Sequence, residues 1–293
     1  MQSFVCLYGF PAAGKTTFAK HFLQEHDDFV GIGADAVRQA LYGSEDRYGD
    51  SKEIYAELVR QMTNALQEGK SVLYDGTNLR RQDRLDFLFD LPSMPIHKEV
   101  IKLPTNMEVC VERHLQRDRD IPLAKILPYF SINEEPTKNE GWDQISTCCT
   151  RAYIASPFFE DAHRAAAVKA AEILRSRGID TYLPLEHKVP NAWDLPNHEW
   201  GAAVYRADVK AIRNSDTVVV LSYGRLGSAG TAWEAGYAFG IGKRVIVVEM
   251  PGTTLMSLMV ANGRTATVKG LDGLQNYDFI RFPELRDNEM EQK

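Results

Sequence analysis

The stretch "SFVCLYGFPAAGKTT", Ser3 to Thr17, decides how the first half of the chain is read. Its apolar run has the length of a buried strand, and Gly9, Gly14, Lys15 and Thr16 then match G-x-x-x-x-G-K-[ST]. The pattern after Lys15, as far as about His26, predicts a helix. Glycines at a strand–helix junction let backbone N–H groups wrap a phosphate, and the helix N-terminus adds partial positive charge. In such a cradle Lys15 reaches the β- and γ-phosphates of ATP and the Thr16 hydroxyl ligates Mg²⁺. Thr17 completes the cofactor-binding set. A glycine-rich turn without a ligand is the competing reading, and the strand before and helix after weigh against it.

Outward from this junction, short apolar strands alternate with amphipathic helices. "SKEIYAELVRQMTNALQEG" predicts a long helix ending at a glycine cap, "SVLYDGTN" and "HKEVIKL" predict strands, and "NMEVCVERHLQRDR" a further helix. Between Ile121 and Trp142 the chain turns polar and proline-broken, as expected of a lid followed by a linker. At Thr150 the alternation restarts. "RAYIASPF", "DTYLPL", "TVVVLS" and "RVIVVEM" read as strands, and "EDAHRAAAVKAAEILRSRG" as a helix. An aromatic-rich loop, "VPNAWDLPNHEW", precedes a helix around "ADVKAIRNS", and the acidic tail "PELRDNEMEQK" is expected to fray. Strands alternating with helices imply parallel sheets covered on both faces. The expected architecture is two doubly wound α/β parallel-sheet domains, 1–145 and 148–293.

Composition agrees with a soluble two-domain chain. At 293 residues it exceeds what one core needs. Hydrophobic residues make up 44% and charged residues 25%, and the net charge of -6 argues against a broad nucleic-acid-coating surface while leaving room for a local basic groove. No apolar stretch approaches membrane-spanning length, and the N-terminus runs into a strand rather than a signal peptide. The four cysteines form no CxxC pair, which reads as reduced, cytoplasmic and without a structural metal.

Candidates for the acceptor side follow the strands. Asp35 and Arg38 share one face at a helix start, where a carboxylate can take a proton from a hydroxyl and an arginine can hold a phosphate. An N-capping aspartate beside a solvated arginine would look the same. Asp75, Thr77 and Asn78 end a strand, where open α/β sheets bind ligands. Arg113 and Arg117 lie one helical turn apart before the lid, suited either to clamping transferred phosphate or to a solvated face. Together these residues resemble the P-loop kinase domain of the phage polynucleotide 5′-kinase group and its zeta-toxin-like relatives, from Met1 to about Ile145 and including "EEPTKNEGWD". The resemblance implies Asp35 as general base, Arg38 at the acceptor, and Arg113 and Arg117 as lid arginines. It also covers kinases of small metabolites and of a sugar nucleotide. No D-x-D-x-T phosphatase motif follows.

The second half carries "SAGTAWEAGYAFG", Ser228 to Gly240, in which one carboxylate, Glu234, sits among small and aromatic residues. A carboxylate in a closed pocket can attack a sugar C1′ as its base departs, and small neighbours such as Gly230 and Gly236 let the sugar approach. A helix-terminal carboxylate facing the dipole is the structural alternative. With "YIASPFF" and "YRADVKAIRNSDTVVVLS", this motif resembles the nucleoside 2-deoxyribosyltransferase family, including its nucleotide N-hydrolase branch, from about Thr150 to Phe279. The resemblance implies a flavodoxin-like fold, Glu234 as nucleophile, Tyr153 as the group that orients it, and Asp208 as the carboxylate that helps protonate and position the base or sugar. Six positions before Glu234 the transferases commonly carry aspartate; here Ser228 stands there, as in the branch that binds a 5′-phosphate. The family builds sites across subunits, which makes a homo-oligomer an expectation.

The favoured function is a bifunctional enzyme: an ATP- and Mg²⁺-dependent kinase of a nucleoside or nucleic-acid 5′ end, fused to an enzyme that cleaves or transfers at an N-glycosidic bond. The rival is a kinase of a small metabolite or nucleotide sugar regulated by a nucleotide-binding, non-catalytic second domain. Polymer against monomer, ribose against deoxyribose, and transfer against hydrolysis stay open.

Overall fold

Two α/β units arise from this alternation in the computed structural model, which describes residues 1–47, 49–117, 121–189, 194–224, 227–253 and 255–285. The chain divides into Met1–Cys148 and Cys149–Lys293. In the first unit the strands are β1 (Gln2–Tyr8), β2 (Phe29–Gly33), β3 (Ser71–Asp75), β4 (Ile96–Lys102) and β5 (Gln144–Thr147). All pair in parallel, in the order β2-β3-β1-β4-β5. The helices are α1 (Lys15–Glu25), α2 (Ala34–Tyr42), α3 (Ser51–Gln67), α4 (Arg81–Phe89), α5 (Met107–Leu115) and the short α6 (Leu123–Ile126). Period-two alternation sorts β1 between two cores: Phe4, Cys6 and Tyr8 join the α3 and α4 side chains Leu58, Met62 and Phe87, while Val5 and Leu7 are buried on the other face. Strands β2 and β5 escape the sequence pattern. "FVGIG" holds two glycines and "QIST" is polar, and each occupies an edge of the sheet, where less apolar surface is buried.

The stretch expected as lid and linker is part of the domain. After α6 it makes 3₁₀ turns at Leu127–Ser131 and Lys138–Glu140, and Glu140 and Trp142 are both buried. Trp142 stacks on Phe4 of β1 with centroids 6.3 Å apart, and Phe130 packs on Phe10 of the phosphate loop at 4.9 Å. Most of its polar residues are exposed, but Glu140 is buried and paired, and that one internal partner is what composition alone misses.

The second unit has β6 (Arg151–Ala155), β7 (Asp180–Tyr182), β8 (Thr217–Ser222), β9 (Arg244–Glu249) and β10 (Ala266–Lys269), all parallel in the order β10-β9-β8-β6-β7. Its helices are α7 (Asp161–Ser176), α8 (Asn197–Asn214), α9 (Ala229–Gly240), α10 (Leu258–Asn262) and α11 (Gly270–Asn276). Tyr153, Ala155, Val218 and Val220 face α8 and α9; Ala152, Ile154, Val219 and Leu221 face α7 and α11. Two boundaries differ from expectation. The strand in "DTYLPL" stops at Tyr182, where Pro184 opens a 3₁₀ turn, and α8 begins at Asn197, inside the stretch read as a loop. Pro196 is the N-cap of that helix, a position next to the helical start that proline's fixed φ tolerates. Residues 190–193 of the aromatic loop and the tail from 286 lie outside the described residues. Among the described residues no helix is long and apolar enough to cross a membrane.

Trp142→Ala removes a large buried ring and should destabilise the first unit by about 3–5 kcal/mol, read as a lowered denaturant midpoint. A linker residue would leave the midpoint unchanged.

Candidate active sites

The first site lies at the carboxyl ends of β1 and β3. Gly14, the N-cap of α1, has φ +102°, a left-handed conformation that other residues adopt only with strain. Gly9 lets the loop approach Leu103 closely, since a Cβ there would lie 3.2 Å from the Leu103 carbonyl oxygen. Lys15 is buried, and its Nζ donates to the carbonyls of Gly9 (3.0 Å) and Phe10 (2.7 Å). Burial lowers its pKa to about 8, with the Asp75 carboxylate opposing the shift. The Thr16 hydroxyl donates to Asp75 Oδ2 at 2.8 Å. Burial raises the Asp75 carboxyl, while the Thr16 bond and the Lys15 charge pull it back. The structure therefore sets Asp75 beside the hydroxyl expected to hold Mg²⁺, a pairing the sequence reading did not make. These hard oxygen donors fit that ion. Among the described residues no group of three His, Cys, Asp or Glu side chains could hold a metal.

Asp35 lies in the first turn of α2, where the N-cap is Gly33, so it is not the cap. Arg38 Nη2 donates to Asp35 Oδ1 and its Nε to the Glu45 carbonyl at 2.8 Å. The Asp35 side chain stays 45% exposed, open to an incoming hydroxyl. The charges of Asp35 and Arg117 both act on Lys15 and Asp75, which gathers these four residues at one edge. Thr17 is exposed beside them in the chain. Arg113 Nη1 donates to the Ala13 carbonyl of the loop at 3.1 Å, beside the Thr105 hydroxyl on the same oxygen at 2.8 Å. Asn78 and Thr77 also contact the loop and β1. Asn78 is buried at φ 50° with Nδ2 donating to the Leu7 carbonyl at 2.6 Å, and the Thr77 carbonyl accepts from the Gly9 N–H at 3.1 Å.

The second site joins residues far apart in the chain. Tyr153, in the middle of β6 and fully buried, donates from its hydroxyl to Glu234 Oε1 at 2.7 Å. Glu234 sits in the second turn of α9, away from the helix terminus. Burial pushes its carboxyl up to about 7, against the Tyr153 bond and with help from Asp208. Asp208 of α8 is pushed up to about 6 by burial, and the Tyr153 hydroxyl opposes that shift as well. The one Tyr153 hydroxyl donates to Glu234 and lowers both carboxyls against the effect of burial. Tyr182 stacks on Tyr153 at 5.6 Å and His187 on Tyr182 at 4.0 Å, an aromatic wall beside the pair.

Next to this group an open cleft of about 430 Å³ is lined by Pro157, Tyr223, Ser228, Thr231, Met256 and Ser257 among others. It opens where β6 and β8 send their connections in opposite directions, the place where such sheets bind ligands. Glu234 does not line it, but lies three residues from Thr231 and so shares its face of α9. Ser228 caps α9, its oxygen accepting from the Thr231 N–H at 3.4 Å, which leaves the hydroxyl proton to donate. Gly230 is exposed beside it. Thr231 Oγ1 and the Tyr223 hydroxyl are buried without a hydrogen-bond partner among the described residues. The sequence reading missed both, although S-x-x-T at a helix start and a tyrosine ending an apolar strand were available signals.

Comparison with known proteins agrees with this division. Residues 4–127 match the family described as AAA domain, and residues 152–278 match the family described as Nucleoside 2-deoxyribosyltransferase. The chain is 26% identical over 148 residues to the L-seryl-tRNA(Sec) kinase of Methanococcus maripaludis, covering 47% of this chain and 55% of that one. It is 29% identical over 160 residues to the transcription factor bHLH140 of Arabidopsis thaliana, covering 52% of this chain and 16% of that protein. The chain thus spans 16% and 55% of the length of these two curated relatives. A solved 2-deoxyribosyltransferase from Bacillus psychrosaccharolyticus is 27% identical with a TM-score of 0.42, covering 46% of this chain and 98% of its own. The N-terminal unit is thus similar to P-loop domains of the AAA-domain family, and the C-terminal unit is similar to the nucleoside 2-deoxyribosyltransferase family.

Tyr153→Phe deletes the one hydrogen bond that favours ionised Glu234, so the carboxyl should titrate above about 7 when followed by ¹³C NMR of labelled glutamate. A carboxyl that titrates at or below its wild-type pH would show that the hydroxyl does not hold it.

Proposed function

We propose that the chain is a bifunctional enzyme that phosphorylates the 5′-hydroxyl of a nucleoside or nucleic-acid end with ATP and acts at an N-glycosidic bond through Glu234. The observation that carries it is the Tyr153–Glu234 hydrogen bond with Asp208 alongside, because a regulatory nucleotide-binding domain has no use for two carboxyls raised towards neutrality around one tyrosine. In the kinase unit, Lys15 and the loop amides would hold the phosphates, and Thr16 with Asp75 would hold Mg²⁺, which when bound would neutralise developing charge. Asp35 accepts the proton of the attacking hydroxyl while Arg38 holds Asp35 in place, and Arg117 steadies the transferred group. The relative named as an L-seryl-tRNA(Sec) kinase supports hydroxyl phosphorylation on a nucleic-acid-linked acceptor.

In the second unit a Glu234 oxygen forms a bond to C1′ as the C1′–N bond breaks. The base leaves with that electron pair and takes a proton from Asp208. Attack at C1′ by water, or by a second base, then breaks the ester and returns Glu234 as a carboxylate. The cleft hydroxyls of Tyr223, of Ser228 and Thr231 at the start of α9, and of Ser257 at the start of α10 suit a 5′-phosphate, so a nucleoside monophosphate or phosphorylated end is the favoured substrate. The exposed apolar face of α9 and α10, with Trp233, Phe239, Leu258 and Met259, suits a second copy of the chain.

Separate sites require separable activities. Lys15→Ala should abolish ATP-dependent phosphorylation and spare base release, and Glu234→Gln should do the reverse, since an amide can neither form the ester nor offset charge at C1′. Chromatography of free base and transfer of labelled γ-phosphate read the two activities, and parallel loss in either folded variant would refute two sites. Ser228→Ala should slow base release from monophosphates by a few-fold to tens-fold, about 1–2 kcal/mol, and barely change nucleosides. Equal rates on both substrate types in the wild type would remove the phosphate preference.

A further inference from the structure

The segment "EEPTKNEGWD", Glu134 to Asp143, supplies no group to either site, yet it is wired into the phosphate loop. Glu140 and Arg84 are both fully buried at the side chain and form a double hydrogen bond, Nε to Oε2 at 2.8 Å and Nη2 to Oε1 at 2.7 Å. Trp142 Nε1 donates to Glu140 Oε2 at 3.0 Å, and the Thr137 N–H donates to Oε1 at 3.2 Å. Every lone-pair direction of this carboxylate thus has a use, as a buried charge requires. The remaining Arg84 donor, Nη1, reaches the Asn78 carbonyl at 2.8 Å, and the guanidinium lies over the Tyr8 ring at 5.5 Å.

Asn78 extends the chain of contacts to the phosphate loop. Its side-chain amide donates to the Leu7 carbonyl at 2.6 Å, while Thr77 before it accepts from the Gly9 N–H at 3.1 Å. Leu7 and Gly9 flank Tyr8, whose own hydroxyl donates to Asn133. Asn78 holds φ 50°, a conformation that costs a non-glycine residue free energy unless its surroundings impose it. Those surroundings are Arg84 on its carbonyl and β1 on its amide.

We infer that Glu140 and Arg84 are positioning residues of the phosphate cradle, acting through Asn78 to fix where the strand ends and the loop begins. The inference rests on the reading of the first unit as an ATP-binding kinase only for its consequence, not for its geometry. The cradle can offer amides to a phosphate only if Gly9 leaves β1 at the right angle, and that angle is set by Thr77 and Asn78.

The test is hydrogen exchange of the full-length chain without nucleotide, followed in the peptide spanning Tyr8–Thr17, together with calorimetric ATP binding. Glu140→Gln keeps the side-chain shape but removes the charge that holds Arg84. Asn78→Gly tolerates the positive φ and removes only the amide, so it serves if Glu140→Gln does not fold. Exchange at Gly9 and Ala13, whose N–H groups are bonded to Thr77 and Phe10, should accelerate at least about tenfold in either variant, and ATP should bind about tenfold more weakly. The acceptor KM should stay within twofold. Exchange unchanged within twofold in the folded variants would overturn the inference, even where melting temperature falls. Faster exchange in a chain whose wild type binds no ATP would uphold the positioning role and refute the kinase reading instead.

Discussion

Parallel pairing is the constraint on which both units depend. Because all strands of a sheet run one way, every loop that follows a strand emerges at the same edge, and the helices needed to cross back cover the faces. The phosphate loop after β1 therefore meets Asp75 after β3 and Asp35 after β2 without any contact between them in sequence. The same rule brings the start of α9, after β8, to the loop after β6. In each unit the connections diverge at one strand, β1 or β6, and the chemistry collects where they part.

How much of this could be read beforehand depended on whether a feature was contiguous. The phosphate loop is a single run of nine residues with its strand and helix attached, so composition, spacing and context all agreed. The Tyr153–Glu234 pair spans 81 residues, and only resemblance to a family joined it; no spacing rule links a strand tyrosine to a helix glutamate across the sheet. Edge strands β2 and β5 were illegible because an edge buries little, so their sequences need not be apolar. The start of α8 was hidden by proline and asparagine, which read as turn chemistry but here open a helix. Glu140 was hardest, since a glutamate in a run of charges looks solvated. The clue lay in its partner: Arg84 occupies a helical position in register with Phe87 and Leu88, where an apolar residue would be expected.

Burial tunes the two sites in opposite senses. It lowers Lys15 to about 8 and raises Glu234 to about 7, in each case by penalising the charged form. A neighbouring group then restrains the shift, Asp75 for the lysine and Tyr153 for the glutamate. Each of these two groups is thus shifted toward neutral pH by burial and restrained by one polar contact. The buried thiols of Cys6 and Cys149 show the contrast: burial pushes both far up, no cation sits close enough to outweigh it, and they remain inert packing.

The order of residues along the first unit also governs its synthesis. Translation delivers α4, with Arg84, long before the turn that carries Glu140, and β5 is the last strand of the first unit to leave the ribosome. Until then the nascent chain holds an arginine whose burial has no counter-charge and a β4 edge without its neighbour. The phosphate loop, although made earlier in this unit, therefore acquires its final support nearly last, and the first unit closes as a whole only once residues through Thr147 have emerged.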